Sequence, residues 1–119
     1  MAKEPVVLDE AFATFDEIWS PRIAGTVNDY NVKIARGEGD FPEHAHADTD
    51  ELFIVLEGEL TLTLPDRTVV LPRGGVFTVP AGVRHQPSAT PGTRLLFIEP
   101  RGVRNTGDDD DAGTTGHAL

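Results

Sequence analysis

Apolar and polar residues alternate along much of this chain, in short stretches broken by glycine, proline and aspartate. Leu60, Leu62 and Leu64 alternate with Thr61 and Thr63, and Val32 and Ile34 alternate with Asn31 and Lys33. A period of two sets alternate side chains on opposite faces of a strand. Leu52 to Leu56 is an unbroken β-prone apolar run, and residues 22–27, 30–36, 68–71, 76–79, 83–85 and 93–99 read as further short strands. Turn formers stand between them at Asn28-Asp29, Gly37 to Asp40, Asp48 to Asp50, Glu57 to Glu59, Pro65 to Arg67, Pro72 to Gly75 and Pro80 to Gly82. Helical spacing shows only near the start, where Phe12, Phe15, Ile18 and Trp19 predict one short turn whose aromatics cover an end of the core or a partner subunit. Many short strands with closely spaced turns predict an all-β sandwich or barrel. Residues 1–28 form a peripheral segment in this reading, 29–107 the barrel and 108–119 a flexible acidic tail with nothing to bury.

Composition narrows the function. A chain of 119 residues makes one domain with its own core. Twenty acidic against ten basic residues give a net charge of −10, which repels phosphate backbones, so no nucleic-acid partner is expected. Without cysteine, disulfides, thiol nucleophiles and Cys-ligated zinc are excluded. The N-terminal residues lack an apolar signal core and no stretch approaches the ~20 apolar residues of a membrane span, so a soluble cytoplasmic protein with no membrane partner is expected.

The candidate chemistry lies in two phrases. In E-H-A-H-A-D-T-D-E, His44 and His46 are two residues apart and Glu51 follows five later. On a strand both imidazoles face one space, and a hairpin through Asp48 to Asp50 brings Glu51 to the same point. His85, in V-P-A-G-V-R-H-Q-P, is the fourth candidate. Three of the chain's four histidines fall in these phrases, and His117 lies in the tail. Imidazoles with a carboxylate are a common ligand set for a divalent first-row metal such as Zn, Mn, Fe or Ni. The other reading is a set of half-buried polar groups satisfied by hydrogen bonds. Lys33 has two readings as well: a catalytic group facing into the barrel, orienting an anionic substrate or moving a proton, or an exposed surface lysine. Phe53 and Val55 share the parity of Glu51 and are either pocket wall or core.

These phrases resemble the two motifs of the cupin superfamily. Gly39, His44, His46, Glu51 and Gly58 follow the first motif, with one residue fewer than usual before the first His. Gly74, Pro80, Gly82 and His85 follow the second, with Ala89 where an Asn is usual. The resemblance covers about residues 39–89. W-S-P-R at 19–22, T-D-E at 49–51 and N-T-G at 105–107 resemble a group of small bacterial single-domain cupins, some loosely labelled sugar-phosphate isomerase-like. The resemblance implies a double-stranded β-helix, the cupin jelly-roll barrel, usually a homodimer, with His44, His46, Glu51 and His85 as metal ligands. It also implies a metalloenzyme acting on a small oxygenated metabolite, either a sugar-type isomerase or epimerase or a dioxygenase. The alternative is a non-catalytic cupin that binds or senses a small ligand.

Overall fold

The computed structural model describes residues 4–103 and 116–119. One short helix, α1 (Leu8–Phe12), precedes eight strands: β1 (Arg22–Val27), β2 (Tyr30–Asp40), β3 (Glu51–Glu57), β4 (Leu60–Thr63), β5 (Thr68–Leu71), β6 (Val76–Val79), β7 (Gln86–Pro100) and β8 (His117–Ala118). The ladder runs β5-β4-β7-β2-β1-β8, with β3 pairing both β6 and β7, so the strands wrap as a jelly roll without closing into a continuous ring. Among the described residues no helix is long and apolar enough to cross a membrane.

β7 is the axis of this arrangement. Its first part, Gln86 to Ala89, pairs with β4, and Arg94 to Ile98 pairs with β3, while β2 lies along its other edge. Short strands were expected at 83–85 and 93–99, whereas residues 83–84 are irregular and a single strand runs from Gln86 to Pro100. Pro91 and Gly92 fall between the two paired segments, where no partner needs their N–H, and the chain stays extended through them. The Gly37 to Asp40 turn is likewise overturned: β2 runs on to Asp40, and the glycines mark a register shift between Gly37 and Gly39. The histidine segment is not a strand either. Residues 41–50 are irregular except for a single bridge between His44 and His85.

Alternation fills the interior. Phe53, Val55, Leu60, Leu62, Leu95 and Phe97 are buried in the main core. Val55 is therefore core, whereas Phe53 both belongs to the core and reaches the site described below. Gly58, at φ 79°, makes the β3–β4 connection so close to β7 that a Cβ there would lie 2.3 Å from Thr93 Oγ1. A second cluster, Ala11, Phe12, Phe15 and Ile34, pins the N-terminal segment to the outside of the sheet. Burial of Phe12 and of Phe15 contributes about 1.5–3 kcal/mol each. Arg36 ties the same segment by donating from Nε to the Phe15 carbonyl at 2.9 Å. Residues 108–115 of the expected tail lie outside the described residues. Of its last part, His117–Ala118 pair in parallel with Arg22 and Ile23, so His117 sits on an edge strand.

Candidate metal centre

The histidine segment has little regular structure of its own, and its shape comes from backbone bonds to the second phrase. His44 N donates to His85 O at 3.0 Å and His85 N returns the bond to His44 O at 2.8 Å. Phe41 N donates to Pro87 O at 2.9 Å, and Gly82 N donates to His46 O at 2.8 Å. Ala81 N donates to Asp50 Oδ1 at 2.8 Å, which fixes the turn before Glu51 opens β3.

His44, His46, Glu51 and His85 thereby converge, with one ligating atom from each, all within 4.8 Å of one another. None of the four is more than 3% exposed. The second nitrogens set the tautomers of two rings. His44 Nδ1 lies 2.8 Å from Pro42 O and His85 Nδ1 3.0 Å from Val83 O. A carbonyl oxygen only accepts, so each Nδ1 carries the proton and each Nε2 is left with a lone pair. His46 Nε2 and His85 Nε2 each stand 3.3 Å from Glu51 Oε1. Both His46 nitrogens, His85 Nε2 and Glu51 Oε1 are buried with no hydrogen-bond partner. Buried polar atoms are normally satisfied, and several lone pairs aimed at one point are what a cation would satisfy. The residues fit a divalent ion, so the cluster could hold one.

The protonation states agree with that fit. Burial lowers His44 to about 4, against a hydrogen bond to Pro42 that favours its charged form. Burial would raise Glu51, yet the neighbouring His46, His85 and Glu99 side chains outweigh it and hold the carboxyl well below the usual range. Neutral imidazole and ionised carboxylate are the forms that bind metal. The His44 shift also gives a pH dependence. Between about 6.5 and about 4 the unfolded chain binds the His44 proton and the folded chain does not. This contribution to stability is therefore present above the unfolded pKa and lost as pH falls through the folded one. Metal-stripped protein is expected to melt at progressively lower temperature from about pH 7 to about pH 4.5, and His44→Phe to flatten the decline. Melting curves across that range check this, and an equal slope in the variant would contradict it.

Lys33 faces inward, but away from the open side of the site. It is fully buried, which excludes the surface-lysine reading. Its Nζ donates to Glu99 Oε1 at 2.7 Å and to Val103 O at 3.0 Å. The Glu99 carboxyl lies beside that of Glu51, and its Oε2 is buried with no hydrogen-bond partner. Burial first, then the charge of Glu51, push Glu99 up to about 9 against the pull of Lys33. Two carboxyls this close resist ionising together, and Lys33 is the cation beside them. Glu99 was missed in the sequence, although an acid on the parity of Leu95 and Phe97 is a readable signal.

On the open side, a narrow cavity of about 30 Å³ reaches His44 and Glu51. Its walls are Trp19, Pro21, Ala35, Phe41, Phe53, Pro87, Leu95 and Phe97. Trp19 and Phe41 lie 5.2 Å apart between centroids, and Phe41 meets the His44 ring edge-on at 5.5 Å. Trp19 holds φ 53°, a left-handed conformation costing a non-glycine residue roughly 1–2 kcal/mol. Its backbone N–H donates to Arg36 O at 2.7 Å and its Nε1 to Glu38 O at 2.9 Å, which fixes the indole over Gly37. The sequence suggested Trp19 only as cover for an end of the core or for a partner subunit.

The wrapped sheet and the four converging side chains define a cupin, and a model of the cupin domain matches residues 30–99: the chain belongs to the cupin family. It is 40% identical to the uncharacterized protein YdbB of Bacillus subtilis (strain 168) over 74 residues, 61% of this chain and 66% of that protein. It is 44% identical to quercetin 2,3-dioxygenase of the same organism over 55 residues, 45% of this chain but 16% of the enzyme. The match thus spans less than two thirds of either relative. Among solved structures, a cupin-2 domain containing protein from Shewanella frigidimarina is 41% identical, with TM-score 0.78 over 81% of this chain and 94% of that one. Hydroquinone 1,2-dioxygenase from Sphingomonas sp. TTNP3, with 4-hydroxybenzoate bound, is 26% identical, with TM-score 0.73 over 79% of this chain and 31% of that one.

Proposed function

We propose that the chain is a metal-dependent dioxygenase acting on a small, single-ring, oxygenated aromatic molecule, with His44, His46, Glu51 and His85 as the metal ligands. The observation that carries this reading is the wall of the cavity beside them. Trp19, Phe41, Phe53 and Phe97 offer ring faces and edges, while few groups there could pair the hydroxyls of a sugar. Each sugar hydroxyl left without a partner costs about 1–3 kcal/mol. That chemistry disfavours the isomerase reading. The two dioxygenases among the similar proteins support the same choice.

A divalent ion at the four ligands supplies Lewis acidity, and iron would add one-electron chemistry with O₂. The residues do the rest. His44 and His85 keep their Nε2 lone pairs on the site and the apolar walls exclude water. A flat ring, which needs a cavity on the order of 150 Å³, enters once Trp19 or Phe41 turns aside. The expected cytoplasmic location and homodimer belong to this proposal, the homodimer supported by the exposed apolar side chains of Val6, Val7 and Val27.

Trp19 is the chain's one tryptophan, so its fluorescence reports directly on the cavity. Iron-loaded protein titrated with catechol, hydroquinone or 4-hydroxybenzoate is expected to show saturable quenching, with O₂ uptake for at least one of them. Quenching without uptake, with any metal, would favour the non-catalytic binding cupin. Turnover of a sugar phosphate under nitrogen, without response to the phenols, would favour the isomerase.

A further inference from the structure

We propose that Glu99, anchored by Lys33, is a positioning residue that holds the Glu51 carboxylate turned toward the three imidazoles; this rests on the reading of those four residues as a metal site. The sheet register sets up the contact. β3 and β7 pair Phe53 with Phe97 and Leu52 with Ile98, so the next step places Glu51 opposite Glu99. β2 and β7 pair Asn31 with Glu99 and Lys33 with Phe97, which makes Lys33 a diagonal neighbour of Glu99 across the other edge. Glu51, Glu99 and Lys33 thus form one row across three adjacent strands, and none is more than 3% exposed.

Neither Lys33 nor Glu99 lines the cavity, so the pair does not touch a substrate there. A buried ion pair is also a poor source of stability, since its desolvation offsets most of its attraction. Apolar side chains at both positions would continue the pattern of Phe53, Val55, Leu95 and Phe97. What the polar pair adds is direction. Lys33 Nζ, 2.7 Å from Glu99 Oε1, is itself fixed by the Val103 carbonyl at 3.0 Å. Glu99 passes that fixed position to Glu51, whose Oε1 stands 3.3 Å from both His46 Nε2 and His85 Nε2. Without Glu99, a carboxylate at the first residue of a strand is free to rotate away from the imidazoles. Partners that orient a ligand in this way are each worth about 10–100-fold in metal affinity.

The test uses the full chain stripped by chelation, with Co²⁺ as a coloured probe of coordination. Wild type is compared with Glu99→Leu, Glu99→Gln and the double variant Lys33→Met/Glu99→Leu. Glu99→Leu is expected to weaken Co²⁺ binding by about 10–100-fold and to change the visible absorption bands, while circular dichroism keeps its native shape. Glu99→Gln is expected to restore most of the affinity and the wild-type bands, because its amide donates to Glu51 while its oxygen still accepts from Lys33. The double variant removes both buried polar groups, so it reads the positioning effect even if Glu99→Leu alone fails to fold. Wild-type affinity and bands in the Leu variants would overturn the positioning role and leave the metal site standing. No Co²⁺ binding by wild type would overturn both.

Discussion

His46→Ala is expected to bind metal at least ~100-fold more weakly than wild type, so that the ion found at near one equivalent per chain falls to background. The loss exceeds that expected of a supporting residue because a ligand itself is removed. His46 also separates metal from fold better than its neighbours. The rings of His44 and His85 hold backbone carbonyls through Nδ1, so their loss disturbs the loops as well. Neither His46 nitrogen has a partner, and the bond that its backbone accepts from Gly82 survives in the variant. Stripped wild type and stripped His46→Ala should therefore melt close together. Added metal should raise the melting temperature of wild type alone, as mass action requires. Elemental analysis beside these melts decides the matter. Undiminished metal in the variant, or none in reconstituted wild type, would sink the four-ligand site.

Lys33→Met is expected to destabilise the metal-free fold by about 3–5 kcal/mol, the usual result of removing one partner from a buried pair. Methionine keeps the unbranched stem but loses the bonds to Glu99 Oε1 and Val103 O. Two facing carboxyls then share the interior without a cation, and like groups directly across a sheet repel. For a domain of this size the melting temperature should drop on the order of 10–20 °C. Adding Glu99→Leu should recover much of the loss, since an apolar pair often replaces a buried ion pair at little cost. Urea unfolding of the three proteins measures it. A loss below about 1 kcal/mol in the single variant would mean that water reaches these carboxyls in solution.

The strands with strong alternation or compact apolar runs were legible in advance, because one local rule decides them. The bounds expected for β1, β5 and β6 coincide with those observed, β4 differs by one residue at one end and β3 by one residue at each end. The errors fell where a distant partner overrides a local signal. Gly37 to Asp40 stays extended because β7 supplies hydrogen bonds along it. Residues 41–50 lose strand form because their partner offers only one bridge. All four candidate ligands were visible as residue types at informative spacing, and the structure does bring them together. Glu99, Trp19, Phe41 and Phe97 were not seen as parts of a site, and Phe53 only as either pocket wall or core, since parity says that a residue is inside without saying what it meets there. Lys33 was correctly given an inward face in one reading. Its partner, 66 positions away, could be found only from the register.

The two-way backbone bond between His44 and His85 also bears on how an ion held there would leave. Each of these amides is locked by the other's carbonyl, so neither loop can swing out while its partner stays in place. Opening frees two imidazoles in a single event instead of shedding ligands one at a time. Release then follows a sub-global unfolding step, slow and steeply dependent on temperature, and the two amides should exchange their hydrogens with solvent at a common rate.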